Sequence, residues 1–212
     1  MLICHTIQYM NWNALKIFRE TPGWCTLDKA KYLYELVTEH QPEVILEIGV
    51  FAGKSFLPMA KTAQEYGGHA IGIEPFQAEP TLEGINPETN DKWWSEIDYK
   101  QLEHDVEDRI THYKLEDTVK LIKKTSKEAL AEMPAKIGLI HQDSNHSEAV
   151  SLWETQHYAP LLTAGGFYIL DDIDWSVDGQ LTNEKSIALL DKMFKRVQWI
   201  DEGGDQWGVW QK

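Results

Sequence analysis

Short apolar runs alternate along this chain with longer stretches whose apolar residues recur every three or four positions. Val44–Ile48 (VILEI), Ala70–Ile73 (AIGI), Val119–Ile122 (VKLI), Ile137–His141 (IGLIH) and Phe167–Leu170 (FYIL) have strand length and are rich in branched residues. Val197–Ile200 (VQWI) and Trp207–Trp210 (WGVW) flank Gly203-Gly204 and predict a terminal hairpin. Between the strands lie helical patterns. Thr26 can cap a helix that carries Ala30, Leu33 and Val37 on one face. Gly53–Tyr66 predicts a second helix, stopped by Gly67-Gly68. Ser147–Tyr158 predicts a third, ended before Pro160, and Thr182–Phe194 a fourth, with Ile187, Leu190 and Phe194 on one stripe. Strand alternating with helix is the pattern of an α/β fold, a parallel sheet covered on both faces. One segment departs from it. Pro75–Asp91 (PFQAEPTLEGINPETND) has three prolines and no period, then meets Trp93-Trp94. Long connections of this kind are often functional, and the stretch 75–100 reads as a lid or as a passive insertion.

Ligands of parallel sheets lie beyond the carboxyl ends of the strands. Acidic residues gather at that rim. Asp171 and Asp172 end the fifth strand, Asp143 follows the fourth, Glu74 follows the second and Glu47 sits at the end of the first. The first strand runs into EIGVFAGKS, where Gly49 and Gly53 permit a tight turn and close backbone approach by a ligand. The helix after it points its amides at that ligand. The glycine spacing is neither the dinucleotide G-x-G-x-x-G nor a P-loop. Glu74 follows Gly53 by about 20 residues, where an acid can accept from both hydroxyls of a ribose. A nucleoside-bearing ligand is therefore expected.

The stretch HQDSNH leaves the fourth strand. Asp143 or Ser144 can cap the following helix, and His146 can be a partly buried histidine. The neighbouring strand supplies another reading: Asp143, Asp171 and Asp172 converge in one cleft. Three carboxylates together need a cation or a proton. An all-oxygen set suits a hard ion such as Mg2+, Mn2+ or Ca2+.

Composition narrows the classes. At 212 residues, with 42% apolar residues, the chain has the size of one domain. A net charge of −14 speaks against nucleic acid as a partner, because phosphate backbones need clustered Lys and Arg. Cys4 and Cys25 have no metal-like spacing and are read as reduced thiols of a cytoplasmic protein. The N-terminal MLICHTIQYMNWNALK lacks the basic start and long apolar stretch of a signal peptide. No apolar run has the roughly 20 residues that span a bilayer, so no membrane contact is expected.

EIGVFAGKS, the acid of GIEPF, HQDSNHSEA and LLTAGGFYILDDIDW together resemble class I S-adenosylmethionine-dependent methyltransferases. Within them the chain is most similar to the metal-dependent sugar O-methyltransferases of macrocin and mycinamicin type and to cephalosporin-hydroxylase-like proteins. The resemblance implies a Rossmann-like, seven-stranded, mostly parallel sheet with a C-terminal antiparallel hairpin and helices on both faces. It places the methyltransferase domain at 24–212, after an extension at 1–23. It also implies roles. Glu47, Gly49 and Gly53 line the cofactor pocket, Ser55 binds the methionine carboxylate, Glu74 holds the ribose and Thr125 and Ser126 lie near the adenine. Asp143, Asp171 and Asp172 bind the metal, Asp143 thereby serving catalysis, and His146 is the base. Ser144 departs from the family's usual glycine, and Gln142 from a usually apolar residue. The implied reaction moves a methyl group to a hydroxyl of a small polyhydroxylated acceptor, a sugar first and a catechol second. Trp93, Trp94, Tyr99 and Trp175 are candidates to stack on it.

Three rivals stand beside this reading. Asp172-Ile-Asp174 also begins a haloacid-dehalogenase-type phosphatase, but too little chain follows to complete that fold. A methyltransferase-like module without chemistry is the second, and a hydroxylase-like reaction on the same carboxylates the third. Exposed aromatics among the first 24 residues would suit a contact in a homo-oligomer.

Overall fold

The computed structural model describes residues 10–200 and 206–212. Cys4 and the Gly203-Gly204 turn lie outside the described residues.

Two helices precede the sheet, α1 (Trp12–Glu20) and α2 (Leu27–His40). The Thr26 hydroxyl accepts from the Lys29 amide and starts α2, and Gln41 in the left-handed region ends it. Strand β1 (Val44–Ile48) leads into α3 (Phe56–Gln64), followed by β2 (His69–Ile73). Helix α3 starts three residues later than the apolar period suggests. Gly53 has φ +89°, and its amide closes a turn onto the Val50 carbonyl, so that residue cannot be helical. The 75–100 stretch, which has no apolar period, carries α4 (Ala78–Thr81) and α5 (Glu88–Ser95), and α6 (Tyr99–His112) follows. Further on come β3 (Val119–Ile122), α7 (Ser126–Ala129), β4 (Ile137–Gln142), α8 (Glu148–Tyr158) and β5 (Leu162–Asp171). A two-stranded ribbon, β6 (Ser176–Val177) and β7 (Gln180–Leu181), precedes α9 (Glu184–Met193), β8 (Lys195–Ile200) and β9 (Trp207–Gln211).

The main sheet has seven strands in the order β3-β2-β1-β4-β5-β9-β8. The first five strands pair in parallel, and β9 joins β5 and β8 antiparallel. This is the expected Rossmann-like methyltransferase architecture. The order reverses between β1 and β4, which opens a crevice at their carboxyl ends.

Strand alternation divides the core into two faces. Ile45, Leu139, Phe167 and Ile169 face a layer that includes α2 and α3, while Leu46, Ile48, Ile140, Tyr168 and Leu170 face Tyr158 and Leu190. Glu47 and His141 are paired in register, so at the rim they continue the first face. Among the described residues no helix is long and apolar enough to cross a membrane.

Candidate active site

A cavity of about 570 Å³ opens at the β1/β4 crevice, within the range of pockets that hold drug-sized ligands. Gly49, Ser55, Glu74, Thr125, Ser126, Asp143, His146, Asp171 and Asp172 line it. Glu47 and Gly53 stand behind the lining.

The glycine turn is shaped by its neighbours. The Gly49 amide donates to the Ile73 carbonyl and the Asp143 amide to the Ile48 carbonyl, so the ends of β2, β1 and β4 are tied together. Gly49 has φ +90°, and a Cβ there would meet the Asp143 carbonyl oxygen at 1.9 Å. Only glycine fits. Glu74 accepts from the Phe51 amide at 2.9 Å and the Phe76 amide at 3.3 Å, one bond to each oxygen. Burial raises its carboxyl above the ordinary value, while those amides pull it back. The remaining lone pairs can take ribose hydroxyls. Ser55 makes no side-chain cap to α3; its hydroxyl donates to Glu47 at 2.9 Å. Thr125 caps α7 in a reciprocal pair with Glu128.

The acidic rim separates into two neighbouring groups that share Asp143. Ligand-type atoms of His141, Asp143 and Asp171 lie within 4.8 Å of one another, and so do those of Asp143, His146 and Asp172. Lys29 enters the first group. It is 2% exposed, its ammonium donates to Asp171 Oδ2 and it lies 3.6 Å from Asp143 Oδ2. Behind it, His141 Nδ1 is 2.8 Å from Glu47 Oε2 and His141 Nε2 is 3.7 Å from Asp171 Oδ2. His141 Nε2 and Asp171 Oδ1 are buried without a hydrogen-bond partner. Burial works to raise the Asp143 carboxyl, but Lys29, His141 and His146 outweigh it and hold the group below its ordinary value. For Asp172 burial prevails: its carboxyl is raised against the pull of His146.

Asp172 has φ +49°, an uncommon backbone for a non-glycine residue. Asn183 holds it there by donating to the Asp172 carbonyl at 2.8 Å. The result aims the carboxylate at His146, whose Nε2 is 3.2 Å from Asp172 Oδ2. The His146 ring packs on Trp175 at 4.9 Å between centroids, and the Trp175 indole N–H is buried without a partner.

The two departures from the resembled pattern have local causes. Gln142 accepts from the Thr155 hydroxyl at 2.9 Å and from Tyr168, and donates to the Ser151 carbonyl at 3.1 Å, joining α8 to the sheet. Ser144 donates to Glu154, which burial pushes up to about 7. Helix α5 brings Trp93 and Trp94 against Trp24 and Phe51, with Trp24–Trp93 centroids 4.9 Å apart. These four rings stand at one side of the cavity. Asn145 donates to the Thr81 and Glu83 carbonyls and fastens the 75–100 segment beside it. Asp174, the second acid of the phosphatase-like pair, is exposed.

Lys29 and His141 were not anticipated. The signal for Lys29 is a charge at the spacing of Leu33 and Val37 on the inward stripe of α2. The signal for His141 is a titratable residue directly after the apolar run 137–140 of a buried strand.

Comparison with known proteins agrees with this geometry. No curated protein matches the sequence. Among solved structures, an O-methyltransferase from Bacillus cereus in complex with SAH aligns at TM-score 0.68 and 15% identity, over 98% of this chain and 94% of that one. The O-methyltransferase TomG from Streptomyces achromogenes, in complex with SAM, aligns at TM-score 0.67 and 15% identity, over 95% and 89%. The O-methyltransferase NovP aligns at TM-score 0.65 and 18% identity, over 88% and 78%. At such identities the likeness is one of fold. The profile of the methyltransferase domain family matches residues 46–173, more than half of the chain and the span from β1 to the acidic rim. With the strand order and the glycine turn in place, the chain belongs to the methyltransferase domain family.

Proposed function

We propose that this protein is an S-adenosylmethionine-dependent O-methyltransferase that acts on a hydroxyl of a small polyhydroxylated acceptor, a sugar by preference, with the help of a divalent ion. One observation carries this reading: a single cavity joins a nucleoside cradle, Gly49 and Glu74, to an acid–imidazole group, Asp143, His146 and Asp172.

Glu74 offers its free lone pairs to the ribose. Gly49 lets the donor approach the backbone, and the Ser55 hydroxyl, oriented by Glu47, faces the methionine end. Glu47 and Gly53 act from behind, by fixing Ser55 and the turn. Thr125 and Ser126 close the adenine side. At the other end the donor set fits a divalent ion. Asp143 and Asp172 are carboxylates facing the cavity, and a hard ion such as Mg2+ needs only one or two of these besides water and substrate oxygens. When bound there the ion would supply Lewis acidity towards the acceptor hydroxyl. His146 takes the proton from that hydroxyl, and Asp172 orients the imidazole and stabilises its charged form. The acceptor oxygen forms its bond to the methyl carbon as the carbon–sulfur bond breaks, and the pair on sulfur leaves with S-adenosylhomocysteine. Trp175 offers its unused N–H to a second acceptor hydroxyl, and the Trp24–Trp93–Trp94 rings offer a face to a sugar. The reduced-thiol reading of the cysteines and the acidic surface suit the cytoplasm. Trp12, 69% exposed, suits a contact between copies in a homo-oligomer.

The test is a calorimetric titration with S-adenosylhomocysteine, with and without Mg2+, using NAD as control. S-adenosylhomocysteine binds and NAD does not. Asp172→Ala keeps that binding within a few-fold while release of S-adenosylhomocysteine on a panel of sugars and catechols disappears. Absence of S-adenosylhomocysteine binding under every condition would overturn the reading.

A further inference from the structure

We infer that Lys29 is a built-in cation of this cleft: it fills one of two adjacent cation positions, between Asp143 and Asp171, and leaves only the Asp143–Asp172 side for a divalent ion. This rests on the proposed function for the second position, while the first position is a property of the chain alone.

The two donor groups, His141/Asp143/Asp171 and Asp143/His146/Asp172, have the same form. Each unites carboxylates with one imidazole around a point that positive charge would favour. In the first group that charge is present. The Lys29 ammonium touches Asp171 Oδ2 and lies 3.6 Å from Asp143 Oδ2. A lysine that is 2% exposed has lost its hydration, and such a loss is tolerated only where paired carboxylates repay it. Leu33 and Val37, on the same inward stripe, show that an apolar side chain would satisfy the packing of α2. The charge is therefore there for the carboxylates. His141 Nε2, buried and without a hydrogen-bond partner, lies 3.7 Å from the Asp171 oxygen that Lys29 touches, and Asp171 Oδ1 is likewise buried without a partner, so unused acceptor capacity surrounds the carboxylate that Lys29 neutralises.

Two consequences follow from electrostatics. Lys29 and a divalent ion cannot share the Asp143–Asp171 position, since like charges at contact distance repel. Asp171 is thus held out of the divalent ion's ligand set, and the ion must rely on Asp143 and Asp172 beside His146. A chain that carries one cation of its own also fixes Asp143 before any ion arrives, which pre-orders the second position.

The experiment is Mn2+ binding, followed by calorimetry and by the electron-paramagnetic-resonance signal of free Mn2+, on the full chain. Three proteins are compared: the unaltered chain, Lys29→Met and Asp171→Asn. Lys29→Met takes up one Mn2+ more per chain than the unaltered protein. Asp171→Asn leaves the affinity of the unaltered protein's ion within about threefold. A Lys29→Met chain that stays folded by circular dichroism yet gains no ion would overturn the inference. So would a tenfold or larger loss of Mn2+ affinity in Asp171→Asn, because Asp171 would then be a ligand and Lys29 a displaceable bystander. If the unaltered chain binds S-adenosylhomocysteine but no Mn2+, the divalent-ion part of the proposed function fails, and the gain of one ion in Lys29→Met still supports Lys29 as the resident cation.

Discussion

Single side chains at this site are set by burial more than by sequence neighbours, and Glu154 shows the consequence most directly. It is 1% exposed, and burial pushes its carboxyl up to about 7 against the pull of Ser144, Ser126 and Lys127. The unfolded chain would release that proton near 4.3. Between those values the folded state binds a proton that the unfolded state has lost, so this group makes stability fall as pH rises. The cost is complete above about 7 and absent below about 4. At 1.36 kcal/mol per unit it amounts to at most about 4 kcal/mol. Glu154→Gln removes the charge and keeps an oxygen for the Ser144 hydroxyl. Urea unfolding should show the variant more stable than the unaltered chain at pH 8, by about 1–4 kcal/mol, and no more stable at pH 4. An equal difference at both pH values would mean that Glu154 is not held protonated by its surroundings. The sequence does not announce this residue, since a glutamate in a helix is ordinarily a surface acid. What buries it is α8 lying flat on the sheet with a mixed polar stripe of Ser151, Glu154 and Thr155.

At the scale of elements, the turn from β1 to α3 governs the site because it is pressed against the end of β4. Gly49→Ala places a methyl group 1.9 Å from the Asp143 carbonyl oxygen, and that atom belongs to backbone held by the sheet. Gly67 is a control: its φ is +81°, but a Cβ there meets nothing within 4 Å. Gly67→Ala should cost about 1–2 kcal/mol for the left-handed backbone alone. Gly49→Ala should cost clearly more, about 3 kcal/mol or above, and reduce affinity for S-adenosylhomocysteine at least tenfold, because β1, β4 and the turn must separate. Melting curves and titration of the two variants decide the matter; equal effects would deny the close approach any role. The strands were legible because each carries a short, mostly apolar run bounded by turn or helix signals, and the seven expected are the seven of the main sheet. Helix ends were less so. Helix α3 starts at Phe56 because the turn keeps Gly53 out of it, and α9 starts at Glu184 because Asn183 is occupied with the Asp171 and Asp172 carbonyls. Helix α6 buries only Val106 and Ile110, too few for a clear period. The β6–β7 ribbon carries its signal in Asp178-Gly179, which are both at positive φ and form its turn. Of the residues that line the cavity, Glu74, Asp143 and Asp172 could be picked from their places at or just past strand ends, and His146 from the loop after β4. Lys29 could not, since its position depends on how α2 lies across the sheet.

Across the whole molecule, the cleft is completed by chain that precedes the sheet. Helix α1 packs on α3, and its Ala14 and Phe18 form a small core with Ala30 and Tyr34 of α2. Ile17 of α1 is 1% exposed and joins the large core beside Leu33, Val37 and Phe56. Lys54, at the mouth of the cavity, lies over the Phe18 ring at 4.8 Å. Helices α1 and α2 thus act as a brace that holds Lys29 and the Trp24 segment over the carboxyl ends of the strands. A brace attached through few elements can open without the sheet unfolding. Ile17→Ala and Leu190→Ala separate the two kinds of core. Each truncates a fully buried aliphatic side chain, so each should lower global stability by about 2–5 kcal/mol. Ile17 joins the brace to the sheet, whereas Leu190 belongs to α9 on the opposite face. Amide hydrogen exchange should therefore quicken in α1 and α2 of Ile17→Ala under conditions where β1 and β4 remain protected. In Leu190→Ala the same helices should keep the exchange of the unaltered chain until the sheet itself opens. Mn2+ affinity gives a second readout: it should change in Ile17→Ala, where the hold on Lys29 is loosened, and stay put in Leu190→Ala. If α1 and α2 exchange together with the sheet in both variants, the molecule unfolds as one unit, and Lys29 is as rigid as the strands it faces.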